Sequence, residues 1–271
     1  MRILIRTSKW AIAARRLGAL AVPLVVLAVV LHHLRLIGGT VFLVAIVGAG
    51  LVAALAVLVA LVALLRLWYS GDRGWGLAFA GLFLGAICLA PFGYYGGLML
   101  RYPPVTDIAT ASRDLMPLTF DPAMATMPPP RMLSPAEMAR VFPNIEARIY
   151  PLDVSITFAL AQRIVSDNGW MITLLRAPQD GGRGQINAQI VTWPGWREEV
   201  VVLVSPDPEG ARVDMRSASL NALHDFGANG KRIETFLAAL DEAVTVFLRD
   251  SPDIEAADEA DSEETPDVPM N

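Results

Sequence analysis

The chain contains little cysteine and little charge. It has one cysteine, Cys88, among 271 residues, which excludes an internal disulfide. Charged residues make up 18% and hydrophobic residues 54%, with a mean hydropathy of +0.45. Soluble globular proteins carry about 25% charged residues, so a fully soluble globular chain is excluded. A disordered chain is also excluded, because it would lack this much apolar surface.

Charge is missing altogether from three long stretches in the N-terminal half, residues 17–34, 37–65 and 75–100. A helix needs about 20 apolar residues to cross a bilayer. The sequence therefore predicts three transmembrane helices within residues 17–100, after a basic segment at 1–16. A cleavable signal peptide is the alternative for the first stretch. We favour a retained span, because no small-x-small cleavage site follows Leu31 and a second span comes next.

The distribution of Lys and Arg predicts the orientation of these spans. Seven lie near the ends that face one side, and three near the ends that face the other. Positive residues concentrate on the cytoplasmic side of a membrane. We therefore expect a multi-pass protein of the bacterial inner membrane, with the N-terminus in the cytoplasm and the chain after Leu100 in the periplasm.

Ionisable residues are lacking at the centre of each predicted span, which disfavours transport. His32 and His33 lie at the edge of the first span. They are expected to be interfacial, since a metal site would need further ligands.

Gly81 and Gly85 form a G-x-x-x-G pattern, as do Gly93 and Gly97. This spacing favours close helix packing, either within the three helices or onto a partner.

The C-terminal half begins with seven prolines in residues 101–131, which predict an extended tether or a wrapping arm. Residues 132–249 predict an α+β domain with an antiparallel sheet of about four strands packed by helices. A short helix starts at the capping box of Ser134 and Glu137. The other expected elements are a helix at 151–168, strands at 170–175, 185–193, 200–204 and 212–217, a turn at 205–210, and a helix from 226.

An acidic segment at 250–271 holds nine Asp and Glu residues and no Lys or Arg, so it is expected to be a disordered tail. The rest of the chain has 22 basic and 18 acidic residues, a net charge of +4. No basic stripe with interleaved aromatic residues is present, which makes nucleic acid an unexpected partner.

One dense polar motif runs from the last strand into the last helix. Residues 216–219 read Arg-Ser-Ala-Ser, and residues 224–232 read His-Asp-Phe-Gly-Ala-Asn-Gly-Lys-Arg. This motif resembles the signature R-S-x-S-R-x-G-x-x-D-x-G-x-N-x-x-R of the bacterial domain-of-unknown-function family 1499. Leu220 and Ala222 depart from it, replacing Arg and Gly. Residues 102–108 look like the opening motif of the membrane-anchored branch of that family. The resemblance implies a domain type and no known activity.

Three roles for the motif stay open from the sequence. In the first, Arg216 pairs with Asp225, and Asn229 and Arg232 complete a structural network on one helix face. In the second, an anionic group binds near the helix N-terminus. In the third, His224 and Asp225 activate a serine nucleophile. For Asp107, in the proline-rich segment, a cap or turn is expected. The candidate binding residues are Arg216, Ser217, Ser219, Asp225, Gly227, Asn229, Arg232 and Asp107.

These observations favour a non-enzymatic membrane-anchored protein whose outer domain binds an envelope protein or an anionic lipid or glycan group. The alternatives are an envelope enzyme or its accessory subunit, and a structural subunit docked through Gly81 and Gly85. No cofactor and no metal are expected, because no nucleophile elbow or metal-ligand spacing is present. The bilayer itself is the one partner that the apolar stretches require.

Overall fold

A computed structural model describes residues 6–119, 132–220 and 222–250. The predicted tail after Asp250 and the end of the proline-rich segment, residues 120–131, lie outside the described residues. The chain divides into two units. Of the described residues, the first unit comprises 6–106, 191–198, 219–220 and 222–227, and the second comprises 107–119, 132–190, 199–218 and 228–250.

Three long apolar helices form the body of the first unit: α1 (Lys9–His33), α2 (Gly39–Ser70) and α3 (Trp75–Arg101). Each is long and apolar enough to cross a membrane, as the sequence predicted. Links of only five and four residues join them, so successive helices run in opposite directions. Their apolar surfaces indicate that the protein associates with a lipid bilayer.

Small residues allow these helices to approach closely. A Cβ added at Gly81 would lie 2.5 Å from the backbone of Ala14 in α1, and one at Gly85 would lie 3.0 Å from the carbonyl oxygen of Ala53 in α2. The first G-x-x-x-G pattern is therefore used inside the bundle, between α3 and both other helices. The idea that Gly81 and Gly85 dock the protein onto a larger complex is wrong, because α1 and α2 already occupy that surface.

The second unit is built on an antiparallel sheet. Among the described residues the sheet has six strands: β1 (Asp107–Ala109), β2 (Arg148–Tyr150), β3 (Met171–Arg176), β4 (Gly184–Val191), β5 (Arg197–Asp207) and β6 (Gly210–Ser219). Their order is β1-β6-β5-β4-β3, and β2 also pairs with β6. The α+β class is confirmed, whereas the expected number of about four strands is too low.

The sheet has more strands than the sequence predicted because β6 pairs with two short strands that are distant from it in sequence. β1 and β2 have three residues each, too few to show an alternating pattern, and both pair with β6. Residues 107–109 are therefore part of the sheet and not of an extended tether. β5 also continues through Pro206 to Asp207, where the sequence suggested a turn from residue 205.

Three helices complete the described part of this unit: α4 (Pro135–Val141), α5 (Val154–Asp167) and α6 (Ala228–Asp250). The capping box of Ser134 and Glu137 is present as predicted. α5 and α6 contact each other and bury Phe158, Phe236 and Leu240. In another part of the core, Met116 packs against Val201 and Leu203 of β5, so the chain before residue 120 covers part of the sheet.

We expect Gly81→Ala to destabilise the bundle and Gly93→Ala, the matched control, to leave it intact. The added methyl meets the Ala14 backbone at position 81 but meets nothing within 4 Å at position 93. Overpacking costs about 1–3 kcal/mol. Thermal unfolding of both variants in the same detergent measures the difference. Equal unfolding temperatures for the two would contradict the packing described here.

Candidate functional site

Arg216 of the family-like motif lies on β6 and forms an ion pair with Asp107 of β1. The guanidinium Nη2 lies 2.7 Å from Oδ2 of the carboxylate, and Nε donates to Oδ1 at 3.1 Å. Asp107 is 4% exposed and the Arg216 side chain 11% exposed. The sequence suggested Asp225 as the partner of Arg216, and the structure shows Asp107 instead.

Asp107 also binds a second cation. Arg113 donates from Nε to Oδ2 of Asp107 at 3.1 Å and from Nη2 to its backbone carbonyl at 2.8 Å. Arg216 donates in turn to the carbonyl of Met116 at 2.8 Å. The cap or turn role expected for Asp107 is therefore wrong, since its buried carboxylate joins β1, β6 and the segment that follows β1.

A second network connects β6 with α6. The hydroxyl of Ser217 donates to Oδ1 of Asn229 at 2.8 Å, and both residues are fully buried. Arg232 donates from Nη1 to Ser217 Oγ at 2.8 Å and to Asn229 Oδ1 at 3.1 Å. Asn229 and Arg232 share a helix face, as predicted. Because α6 begins at Ala228, Asp225 precedes the helix and is not part of that face.

The remaining motif residues belong to the first unit, where they order the loop of residues 219–227. Asp225 is buried, and its Oδ1 accepts the backbone N–H of Gly227 at 2.9 Å. Gly227 has a φ of +79°, and a Cβ there would lie 2.6 Å from the Tyr102 ring. Glycine is required at this position by both its conformation and its close contact. Ser219 donates to Glu198 at 3.0 Å.

The catalytic interpretation is not favoured by this geometry. The hydroxyls of Ser217 and Ser219 are buried and donate to Asn229 and Glu198. His224 accepts the backbone N–H of Phe226 through Nδ1 at 2.8 Å, and its ring stacks on the Phe226 ring. Within the described residues, no group of three or more His, Cys, Asp or Glu side chains is placed to hold a metal ion.

An open groove of about 240 Å³ lies at the start of α6, next to the second network. It is lined by Asn168, Trp170, Ala228, Lys231, Arg232, Thr235 and Phe236. Of these seven described residues, two are cationic and none is acidic. Trp170 stacks on Phe236 with ring centroids 5.9 Å apart. Sequence reasoning identified Arg232 but missed Trp170 and Lys231, because their proximity depends on how α6 packs against α5 and the turn that follows α5.

Other polar groups of the second unit also stabilise its fold. Tyr150 of β2 donates to Asp241 of α6 at 2.6 Å, and burial together with this hydrogen bond raises the pKa of the phenol. Arg212 lies 2.8 Å from Asp214, whose carboxylate raises the pKa of the guanidinium. Glu199 is fully buried and accepts from Thr119 and Asn187 through Oε1. No sequence pattern predicts these pairs, which join separate elements or neighbouring positions on one strand face.

We expect Asp107→Asn to lower the free energy of unfolding by about 3 kcal/mol, since it leaves a buried guanidinium without its charge partner. The matched control is Asp167→Asn, which removes the exposed pair of Asp167 with Arg163. Such a pair contributes about 0–1 kcal/mol. Chemical denaturation of the full-length protein in detergent compares the two variants. If Asp107→Asn were as mild as the control, the ion pair would not be holding β1 to β6.

Comparison with known families supports the resemblance of this part of the chain to a family of unknown function. Residues 124–240 match the model of a family described as "Protein of unknown function (DUF1499)". Comparisons with curated proteins and with solved structures gave no match. The matched residues include the motif from Arg216 to Arg232 and the groove beside it. Over residues 124–240 this chain therefore resembles the family of unknown function numbered 1499.

Proposed function

We propose that this is a membrane-anchored protein whose α+β domain binds an anionic group of a cell-envelope component, a lipid phosphate or a glycan carboxylate. The binding place is the groove lined by Lys231, Arg232 and Trp170. The observation that carries the proposal is this pairing of two cations with an aromatic ring in an open groove without acidic lining residues.

The chemistry of the groove suits an anion. Lys231 is a solvent-exposed residue that lines the groove. Arg232 is held in place by Ser217 and Asn229, which reduces the entropy lost when its guanidinium orients toward a ligand. Hydrogen bonds between such cations and phosphate or carboxylate oxygens are about twice as strong as neutral ones.

The structural networks around the groove assign different roles to the motif residues. Arg216, Ser217, Asn229 and Asp107 are buried or nearly so and are bound to one another within the second unit. Ser217 and Asn229 hold Arg232 at the groove, whereas Arg216 and Asp107 join β6 to β1. Among the candidate binding residues, Arg232 is the one that lines the groove, and Lys231 joins it as a contact residue.

The proposed location is the bacterial inner membrane, with the N-terminus in the cytoplasm and the α+β domain in the periplasm. The excess of Lys and Arg before α1 and around Arg66 and Arg73 supports this orientation. In the same proposal, residues 17–100 form the anchor, residues 107–119 and 132–249 belong to the binding domain, and 250–271 form an acidic tail.

We expect full-length protein, extracted from its own membranes in a gentle detergent, to carry an added mass in native mass spectrometry. Lys231→Gln removes one charge-assisted hydrogen bond, worth about 1.5–3 kcal/mol, and should weaken binding roughly tenfold or more, which lowers the occupied fraction. Arg163→Gln, at an exposed cation on α5, is the matched control and should retain the mass. A bare wild-type protein, or equal occupancy in both variants, would overturn the proposal.

We expect the orientation to be revealed by reporter fusions. Alkaline phosphatase, which is active only outside the cytoplasm, should be active when fused after Asp250 and inactive when fused at Asp72, between α2 and α3. A fluorescent protein, which matures in the cytoplasm, should give the opposite pattern. Phosphatase activity at Asp72 would show that the orientation inferred from Lys and Arg is reversed.

A further inference from the structure

Two loops at the ends of strands belong to the same compact unit as helices α1, α2 and α3. They are the hairpin loop of residues 192–196, between β4 and β5, and the loop of residues 220–227, between β6 and α6. Both contact the same end of the bundle, where α1 ends, α2 begins and α3 ends. We propose that these loops lie at the lipid–water interface, with Trp193 and Leu223 in contact with lipid.

The hairpin loop is fixed to α1 and α2. His32 binds the carbonyl oxygen of Pro194 through Nδ1 at 2.6 Å, and the His32 ring stacks on Phe42 and meets the edge of Trp196. Gly195 has a φ of +98°, and a Cβ there would lie 2.8 Å from the Cα of His33. His32 is only 7% exposed, so it is a packing residue and not the wet interfacial histidine that the sequence suggested.

The second loop is fixed to α3. Phe226 packs on Tyr95 with ring centroids 4.9 Å apart. The Tyr102 ring lies against Gly227, and the backbone N–H of Asp225 donates to the carbonyl of Val105 at 3.1 Å. The buried Asp225 of the family-like motif thus orders a loop that rests on the end of a membrane helix.

The positions of these contacts along the helices support the proposal that the loops lie at the depth of the polar interface of the bilayer. Phe42 lies five residues inside the uncharged stretch that starts at Ile37, and Tyr95 lies five residues before Leu100, where the third stretch ends. At about 1.5 Å of rise per residue, five residues correspond to roughly 7 Å. The polar interface is about 5–7 Å thick on each side of the hydrocarbon core, so the loops reach its inner edge.

Among the described residues of the two loops, the side chains that are exposed are apolar. Trp193 is 76% exposed and Leu223 is 79% exposed, although Pro194 and Phe226, which follow them in the two loops, contact the helices. The nearby helix ends expose Leu34, Leu36 and Leu100 as well. These residues continue the lipid-facing surface of the bundle onto the two loops. Tryptophan is enriched at this depth because its ring combines a large apolar surface with one N–H donor.

Site-directed spin labelling tests this proposal directly, since six tryptophans make intrinsic fluorescence ambiguous. Cys88, the only cysteine, is replaced by Ala in the full-length chain, and single cysteines are introduced at Trp193 or Leu223. The references are Glu209→Cys, at the exposed turn between β5 and β6, and Leu58→Cys, on the lipid-facing side of α2. Each labelled protein is reconstituted in phosphatidylcholine nanodiscs.

Collision rates with oxygen, which concentrates in lipid, and with a water-soluble nickel chelate then report depth. We expect the oxygen-to-nickel ratio at 193 and 223 to rise several-fold above that at Glu209, toward the value at Leu58. A ratio equal to that at Glu209 would place the loops in water. Low collision rates with both reagents would place them against protein. Either result would overturn the proposal.

A second measurement covers the case in which a cysteine variant fails to fold. Trp193→Phe keeps an aromatic side chain at the exposed position, and it is compared with wild type in nanodiscs containing brominated phosphatidylcholine, which quenches nearby tryptophan. We expect the variant to lose a quenched component of the fluorescence that the wild type shows. Equal quenching of the two proteins would count against lipid contact at residue 193.

Discussion

The carboxylate of Asp107 is the group on which the described sheet edge depends. Two guanidinium groups share this buried carboxylate, that of Arg216, which is 11% exposed, and that of Arg113, which is 25% exposed. Taking one carboxylate and one guanidinium out of water is costly, and the short hydrogen bonds between them offset that cost only while both partners remain. The pair is therefore a constraint on the fold: it holds a three-residue strand that backbone hydrogen bonds alone would hold weakly.

The position of β1 has further consequences along the chain. Arg216 also binds the carbonyl of Met116, so the segment after β1 returns across the sheet and places Met116 against Val201 and Leu203. On the adjacent position of β6, Ser217 binds Asn229 and thereby sets the start of α6. Neighbouring residues on a strand point to opposite faces. One short motif can thus stabilise the cover on one face and the helix on the other.

This alternation explains how a motif with the composition of a binding site acts largely as a structural element. Its serines and its asparagine are buried and hydrogen-bonded, whereas Arg232 lies where helix α6 reaches the groove. Lys231, beside it, is exposed. In the proposed function, the division between structural support and ligand contact follows burial, which the resemblance to a family of unknown function does not itself reveal.

Local patterns determined much of this protein. Long uncharged stretches predicted three helices that are long and apolar enough to cross a membrane. The capping box at Ser134, the alternation in β4 and the apolar period of α6 could be predicted as well, because a residue and its near neighbours specify them. Only the tertiary structure decided that Arg216 pairs with Asp107. In the antiparallel register Arg216 faces Ala109, which makes Asp107 its diagonal neighbour although 109 positions separate the two in sequence. Three-residue strands carry no period, and the partner of a charge depends on strand register, so neither could be inferred before the chain was folded.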